Sequence, residues 1–179
     1  MGNRTFIGID PGLTVTAWAK SDGSSDAFHS TEHGMARLAE ILVVLQKAKI
    51  HLADGIAVEG YSFGSPYKAH QLGELGGAIR MWLWECHTPY IDIPPPTLKK
   101  FATDSGRAKK DELRLAVYRR WGKEFKTEHE VDAYILAKIA EAVFGDPGPL
   151  TKFQTEVVKR CRQNLALQTV ESDNKSVKP

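Results

Sequence analysis

Cysteine and long apolar runs are scarce in this sequence of 179 residues, and each shortage excludes a class of protein. The two cysteines, Cys86 and Cys161, have the spacing neither of a disulfide framework nor of a structural zinc site. No stretch approaches the roughly 20 apolar residues that a transmembrane helix needs. The first residues also lack the basic and then apolar pattern of a signal peptide, so we expect a soluble protein without membrane association.

The net charge is only +2, but the charged residues are unevenly distributed. Residues 99–120 contain eight basic and three acidic side chains, residues 150–179 contain six and three, and the remainder contains ten and sixteen. Two basic segments on an acidic body can bind a polyanion while carboxylates hold a cation. The alternative is that the basic residues form the solvated faces of helices. The basic residues expected to contact DNA are Lys99, Lys100, Arg107, Lys109 and Lys110.

The apolar pattern predicts an α/β protein. Alternating or short apolar runs predict strands at 5–10, 14–20, 27–30, 55–59 and 88–93. Helical spacing predicts helices at 35–52, 67–86, 109–121, 128–144 and 151–167, with a disordered end from about residue 171. This order favours a mixed five-stranded sheet flanked by helices on both faces. We expect one domain over residues 1–149, followed by a C-terminal helix and tail at 150–179.

Four residues with metal-binding or acid–base chemistry occupy the ends of predicted elements. Asp10 ends the first strand and Glu59 ends GIAVE; if these strands pair in parallel, both carboxylates lie at neighbouring strand ends. Asp132 lies in the first turns of a helix, and His129 precedes it by three residues, on the same helical face. Converging carboxylates favour Mg²⁺, and two such ions can activate a water for phosphodiester hydrolysis.

Each of these residues also has a purely structural explanation. Asp10, in Asp-Pro-Gly, can cap the turn that follows it, and His129 can be an ordinary exposed residue of a first helical turn. Glu130 is explained structurally, because Thr127 and Glu130 have the spacing of a capping box. We therefore leave Glu130 out of the predicted site.

Four segments in order make the chain similar to a known family. IGIDPGLTVTAWA, AVEGYSF, PPPTLKKFATDSGRAKKDEL and HEVDAYILAKIA resemble the RuvC-like Holliday junction resolvases, with the closest similarity to phage-type members, over residues 5–142. The resemblance implies an RNase H-like fold and a homodimer that nicks two opposed strands of a four-way DNA junction. It also implies two Mg²⁺ ions per site, with Mn²⁺ able to substitute, and action in the cytoplasm of a bacterial or phage-infected cell.

The resemblance assigns roles to individual residues. Asp10, Glu59 and Asp132 match the family's metal-binding and catalytic carboxylates, and His129 stands where members have aspartate or histidine. Lys99 and Lys110 match lysines that contact the DNA backbone. The remaining matches are two aromatic residues after the glutamate, where the family places a ring that wedges against junction bases: Tyr61 and Phe63. The alternative is that these rings pack the loop onto the sheet.

Two segments have roles that the resemblance leaves open. In the helix GELGGAIRMWLW, Gly73, Gly76 and Gly77 permit close helix approach, and Trp82 and Trp84 are costly to expose. The resemblance implies that this helix lies in the dimer interface, as the corresponding helix of the family does. A helix buried within one domain explains the same pattern. The segment after Pro149 has no counterpart in the family; an extra DNA-binding helix and a packed end are both possible.

The sequence favours a junction-resolving endonuclease over three alternatives. An RNase H-like nuclease acting on flaps, branched DNA or hybrids shares the same catalytic residues. A non-catalytic protein that binds branched DNA is disfavoured because Asp10, Glu59 and Asp132 are all present. A nucleotide-binding module of the sugar-kinase type is disfavoured because the chain is about half the required length and lacks a second Gly-rich phosphate loop. One departure from the family is Asp104, which stands where glycine is common and places a negative charge in a DNA-facing turn.

Overall fold

A computed structural model describes residues 4–60 and 69–175 of the chain, with side chains up to residue 166. The predicted wedge residues Tyr61 and Phe63 therefore lie outside the described residues. Within the described ranges, every helix falls short of the length and apolar content that a bilayer span demands. The strands are β1 (Phe6–Asp10), β2 (Val15–Lys20), β3 (Ser25–His29), β4 (Gly55–Glu59) and β5 (Tyr90–Ile93). The helices are α1 (Gly34–Lys47), α2 (Ala69–Glu85), α3 (Pro95–Thr103), α4 (Lys110–Trp121), α5 (Glu128–Phe144) and α6 (Lys152–Lys175).

The five strands form one mixed sheet in the order β3-β2-β1-β4-β5. β2 is antiparallel to both β1 and β3, because a short turn joins each consecutive pair. β1 pairs in parallel with β4, and β4 pairs in parallel with β5. The predicted mixed five-stranded sheet is confirmed, including the parallel pairing that brings the ends of β1 and β4 together.

Each face of the sheet is covered by its own apolar core. Alternate residues of β1 and β4, such as Ile7 and Ile56, pack against α1 and α2. Phe6 and Ala57 point to the opposite face, where they join the core formed with α3, α4, α5 and α6. Because side chains alternate along a strand, every second residue after Phe6 and Ala57 also faces α5. Asp10 and Glu59 belong to that set.

The central helix α5 lies directly on β1, and Gly8 permits this close approach. A Cβ atom added at Gly8 would lie 2.0 Å from the carbonyl oxygen of Ala133 and 2.4 Å from the amide nitrogen of Ala137. A glycine is therefore required where the strand and the helix backbone meet. Gly145, just after the end of α5, lies against the ring of Phe6 at the beginning of β1. Helix α5 therefore runs antiparallel to β1 and begins beside Asp10.

Before residue 150, the helix predictions were wrong at two places. The helix predicted over 35–52 ends at Lys47, because Lys49 adopts a left-handed backbone (φ 56°) and a separate 3-10 turn follows at Ile50–Leu52. Helix α3 was not predicted at all, because the prolines after β5 were interpreted only as the end of a strand. Pro95 lies at the start of this helix, where the missing amide hydrogen costs nothing and the fixed φ suits the helix.

The C-terminal helix is longer than predicted. α6 continues to Lys175, beyond the predicted end at 167 and into the segment expected to be disordered. Its first half packs on the domain: Val157, Val158 and Cys161 are buried in the same core as α5. The division of the chain at residue 149 stays a prediction.

Candidate active site

Two carboxylates stand side by side at the ends of β1 and β4. The register that pairs Ile9 with Val58 places the next residues, Asp10 and Glu59, at neighbouring strand ends. Asp10 is only 5% exposed, although it is charged and ends a strand. The side chain of Glu59 hydrogen-bonds to that of Asp10. The parallel pairing thus brings the two predicted carboxylates together.

The start of α5 places a third carboxylate and a histidine over the same strand ends. The predicted capping box is confirmed: Thr127 accepts from the amide of Glu130, and Glu130 accepts from the amide of Thr127 at 2.9 Å. This cap fixes the first turn of α5. His129 in that turn reaches Asp10, with 2.7 Å between Nδ1 of the ring and Oδ2 of the carboxylate. In the described part of the chain, Asp10 makes no hydrogen bond to the turn that follows it, so its role is not that of a turn cap.

Burial and mutual repulsion hold protons on two of the carboxyl groups. Burial, the hydrogen bond to Asp10 and the charges of Asp10 and Asp132 raise the pKa of Glu59 to about 9. Burial and the negative charge of Asp10 raise the pKa of Asp132 to about 7. The hydrogen bond to Asp10 raises the pKa of His129. The positive charge of Lys99 opposes the shift at both Glu59 and Asp132, so this lysine lies close to the acidic cluster.

The side chains of the acidic cluster suit a hard divalent cation in their chemistry, although they are not arranged around a common point as metal ligands. Across residues 4–60 and 69–175, no three His, Cys, Asp or Glu side chains are arranged to hold a metal ion as they stand. The reason is visible in the contacts: one oxygen of Asp10 binds His129, and Asp10 also receives the Glu59 hydrogen bond. The chemistry of the cluster nevertheless suits Mg²⁺, which prefers oxygen ligands whose negative charge it neutralises.

The predicted DNA-contacting residues occupy different settings. Lys110 forms an ion pair with Glu128, directly before His129, so it lies at the edge of the acidic cluster. Lys100 pairs with Glu156 of α6 at 3.2 Å. Arg107 and Lys109 are exposed in the segment between α3 and α4. The pairing of Lys100 and Lys110 with acids was not predicted, because these partners are 56 and 18 residues away in the sequence.

Asp104, the departure from the family pattern, ends α3 in a left-handed conformation. Its φ is 71°, and its amide donates to the carbonyl of Lys100 at 2.9 Å. Glycine is the preferred residue at such a helix end, and aspartate is among the few others that tolerate it. The conformation is one that glycine adopts without strain and that Asp104 tolerates, so the departure from the expected glycine is compatible with this helix end.

Replacement of the ionisable group of Glu59 tests whether the acidic cluster is buried. Without a metal ion, Glu59→Gln is expected to raise the free energy of unfolding at pH 8 by at least about 1 kcal/mol. The folded state binds the Glu59 proton up to a pKa of about 9, against an ordinary 4.5, so wild-type stability falls as pH rises between these values. Denaturant unfolding in EDTA at pH 5, 7 and 9 measures this slope. The exposed Glu124→Gln is the matched control, and an equal slope in wild type and Glu59→Gln would contradict the buried cluster.

Comparison with known proteins identifies relatives of this chain. No protein-family model matches it. The chain is 28% identical over 146 residues to crossover junction endodeoxyribonuclease RuvC of Parvibaculum lavamentivorans, covering 74% of this chain and 83% of the relative. It is 30% identical over 125 residues to the RuvC of Rhodopirellula baltica, covering 63% of this chain and 70% of the relative.

Solved structures agree in fold. Thermus thermophilus RuvC superposes with a TM-score of 0.58 at 23% identity, covering 73% of this chain and 90% of that protein. The T. thermophilus RuvC in complex with Holliday junction substrate also gives 0.58, at 21% identity, covering 75% of this chain and 90% of that one. The RNase H-like α/β fold expected from the sequence is confirmed. The sequence identity and the shared fold together show that this chain belongs to the RuvC family of crossover junction endodeoxyribonucleases.

Proposed function

We propose that this chain resolves Holliday junctions in the cytoplasm, by symmetric metal-dependent nicking of a four-way DNA junction. The observation that supports this most directly is the meeting of Asp10, Glu59 and Asp132 at the ends of two parallel strands, within a RuvC-family fold. The relatives are named crossover junction endodeoxyribonucleases, and one structural neighbour was solved with a Holliday junction substrate. Hydrolysis would leave 5′-phosphate and 3′-hydroxyl ends.

Asp10, Glu59 and Asp132 would supply the oxygen ligands for two Mg²⁺ ions, or Mn²⁺ in their place, with His129 as a further ligand or a partner of Asp10. The ions, when bound, supply the positive charge that activates a water and stabilises the leaving oxygen. The buried carboxylates favour cation binding, because a cation replaces the protons that burial and repulsion now hold there.

Other side chains at this site would orient the Asp10 carboxylate and neutralise charge on the scissile phosphate. His129 fixes the Asp10 carboxylate through its Nδ1 atom, and the capped first turn of α5 holds the ring in place. A ring with a raised pKa can also hold a proton close to the reacting phosphate. Lys99, beside the acidic cluster, supplies a positive charge for the scissile phosphate.

The DNA backbone would be held by the basic segment next to this site. Lys110 lies near the acidic cluster because it pairs with Glu128, which directly precedes His129. The exposed Arg107 and Lys109 come just before Lys110 in the chain. Contacts of this kind position the enzyme on phosphates without reading sequence. The wedge role of Tyr61 and Phe63 stays a prediction from the resemblance.

A homodimer is part of this proposal, and the exposed side of α2 supports it. Trp82 is buried in the core against His51, but Met81 and Trp84 on the same helix are 57% and 65% exposed. The alternative of a helix fully buried within one domain is therefore wrong. Large apolar side chains on one helix face suit a two-fold interface, and a two-fold dimer suits two symmetric nicks.

Disruption of this face is expected to separate the subunits. Trp84→Glu should raise the dimer dissociation constant by about 30-fold or more, because a tryptophan buried in an interface is the kind of residue that contributes at least about 2 kcal/mol. Sedimentation velocity over a concentration series measures the change. Leu115→Glu on α4, where the leucine is 47% exposed, is the matched control and should leave association unchanged. A Trp84→Glu protein that associates like wild type would place the interface elsewhere.

The function is tested by cutting purified DNA of defined shape in an Mg²⁺ titration. The protein should nick a four-way junction at symmetric positions and leave a linear duplex of the same sequence intact. Equal cutting of flaps or RNA–DNA hybrids would favour a broader RNase H-like nuclease. Tight junction binding that does not depend on divalent ions, with no product, would favour a non-catalytic binding protein.

A further inference from the structure

α6 lies beyond the family-like segments at residues 5–142 and is fixed to the domain by specific contacts. The guanidinium of Arg162 donates to the carbonyl oxygens of Ala142 at 2.9 Å and Val143 at 3.2 Å, near the end of α5. Arg120 of α4 stacks on the ring of Phe153, with its Cζ atom 4.9 Å from the ring centroid. These contacts add to the three buried apolar residues of the helix, so the first half of α6 is firmly packed on the domain.

A groove of about 290 Å³ separates α6 from the start of α3. Its acidic side chain, Asp92, is already neutralised by Arg80 at 2.6 Å. Its lysine, Lys100, is paired with Glu156. Arg160 also lines the groove and, in the described part of the chain, makes no hydrogen bond or ion pair. The polar lining that is left to bind a ligand consists of Thr97, Asn164 and Arg160.

Helix α3 links the groove to the active site through two consecutive lysines. Lys99 acts electrostatically on Glu59 and Asp132, while its neighbour Lys100 lines the groove. Consecutive Cα atoms are about 3.8 Å apart, so one short helix presents a lysine to each side. Gly106, from the turn that precedes the exposed Arg107, also lines the groove. Helix α3 thus carries one lysine beside the acidic cluster and the next lysine in the same groove as Arg160.

We propose that Arg160 and Asn164 bind a backbone phosphate of a junction arm, so that α6 extends the DNA-binding surface beyond the family-like part of the chain. This inference rests on the proposed function. The charge of the helix supports it: residues 152–166 carry four basic side chains and one acidic one, and the acidic one, Glu156, is paired with Lys100. Arginine with a neighbouring amide donor matches a phosphate that has oxygens on two sides. We expect a duplex arm, with its regularly spaced phosphates, to contact this groove while the junction occupies the active site.

The test compares Arg160→Ala with Lys159→Ala. Lys159 is the next residue and an exposed cation, but it lies in a different groove, against Pro147 and Leu150. Binding of a fluorescent four-way junction is measured in EDTA from about 50 to 200 mM salt. Arg160→Ala should weaken binding about 3- to 10-fold and lower the slope of log K against log salt by about 0.9, the value for one phosphate contact. Arg160→Glu should weaken binding further, and Lys159→Ala should change neither quantity.

The length of the arms provides a second readout that a structural defect would not mimic. When the arms are shortened stepwise, wild-type affinity should fall to that of Arg160→Ala, after which the two proteins should bind alike. Equal losses in Arg160→Ala and Lys159→Ala, or an unchanged salt slope in Arg160→Ala, would overturn the inference and leave the proposed function intact. A wild-type protein that neither binds nor cuts the junction would overturn the proposed function itself.

Discussion

Asp10→Asn is expected to lower the rate of junction cleavage by roughly a thousandfold or more while leaving junction binding intact. Asp10 is the buried carboxylate that contacts both Glu59 and His129, so it is the centre of the acidic cluster. Loss of a residue that merely supports a metal ligand costs about 10- to 100-fold in activity, and loss of a central ligand should cost more. Asparagine keeps the shape of the side chain but removes the charge on which cation binding depends. Single-turnover cleavage at saturating Mg²⁺ measures the rate.

The control for this experiment is the same chemical change at the far end of α5. Asp146 is exposed and accepts a hydrogen bond from Gly148, away from the acidic cluster. Asp146→Asn should cut at the wild-type rate. Cleavage by Asp10→Asn at the wild-type rate would show that another group carries the reaction. A parallel loss of junction binding would instead place Asp10 in the DNA contact.

The acidic cluster could be predicted because its positions follow from local rules. Apolar runs that end in Asp10 and Glu59 predict buried strands, and parallel pairing brings the ends of such strands to one edge. The capping box at Thr127 and Glu130 fixes where α5 begins, and helical periodicity then places His129 and Asp132 on one face. Each step needs only the spacing of a few residues. The roles of these residues as ligands remain a prediction.

The features that were missed depend on tertiary packing or on an ambiguous local signal. Three consecutive prolines after β5 are compatible both with the end of a strand and with the first turn of a helix. Because they were interpreted only as the end of a strand, α3 was not predicted. The sequence does not show that Lys100 is paired with an acidic side chain whereas Arg160 makes no ion pair with any described residue. What separates them is the position of α6 against α3, which no periodicity specifies.

Gly8→Ala is expected to lower the free energy of unfolding by about 3 kcal/mol and to reduce cleavage by about 100-fold in the protein that remains folded. The added methyl group meets the Ala133 carbonyl oxygen at 2.0 Å and the Ala137 amide nitrogen at 2.4 Å. Because both are backbone atoms of α5, no side-chain rotation relieves the clash, and the helix has to move away from β1. His129 and Asp132 move with it, so their distances from Asp10 change.

Gly77→Ala provides the matched control, because a Cβ atom added there meets no atom within 4 Å. Within α2 this change should raise stability by roughly 0.5–1 kcal/mol, as expected for alanine in place of a helical glycine. Both variants are compared by denaturant unfolding in the Trp84→Glu background, where subunit association does not contribute. Cleavage by Gly8→Ala is measured in the wild-type background at a temperature where it is fully folded. An unfolding free energy equal to that of the Trp84→Glu parent would mean that α5 does not lie against β1 at Gly8, and the juxtaposition of His129 with Asp10 would then lose its structural basis.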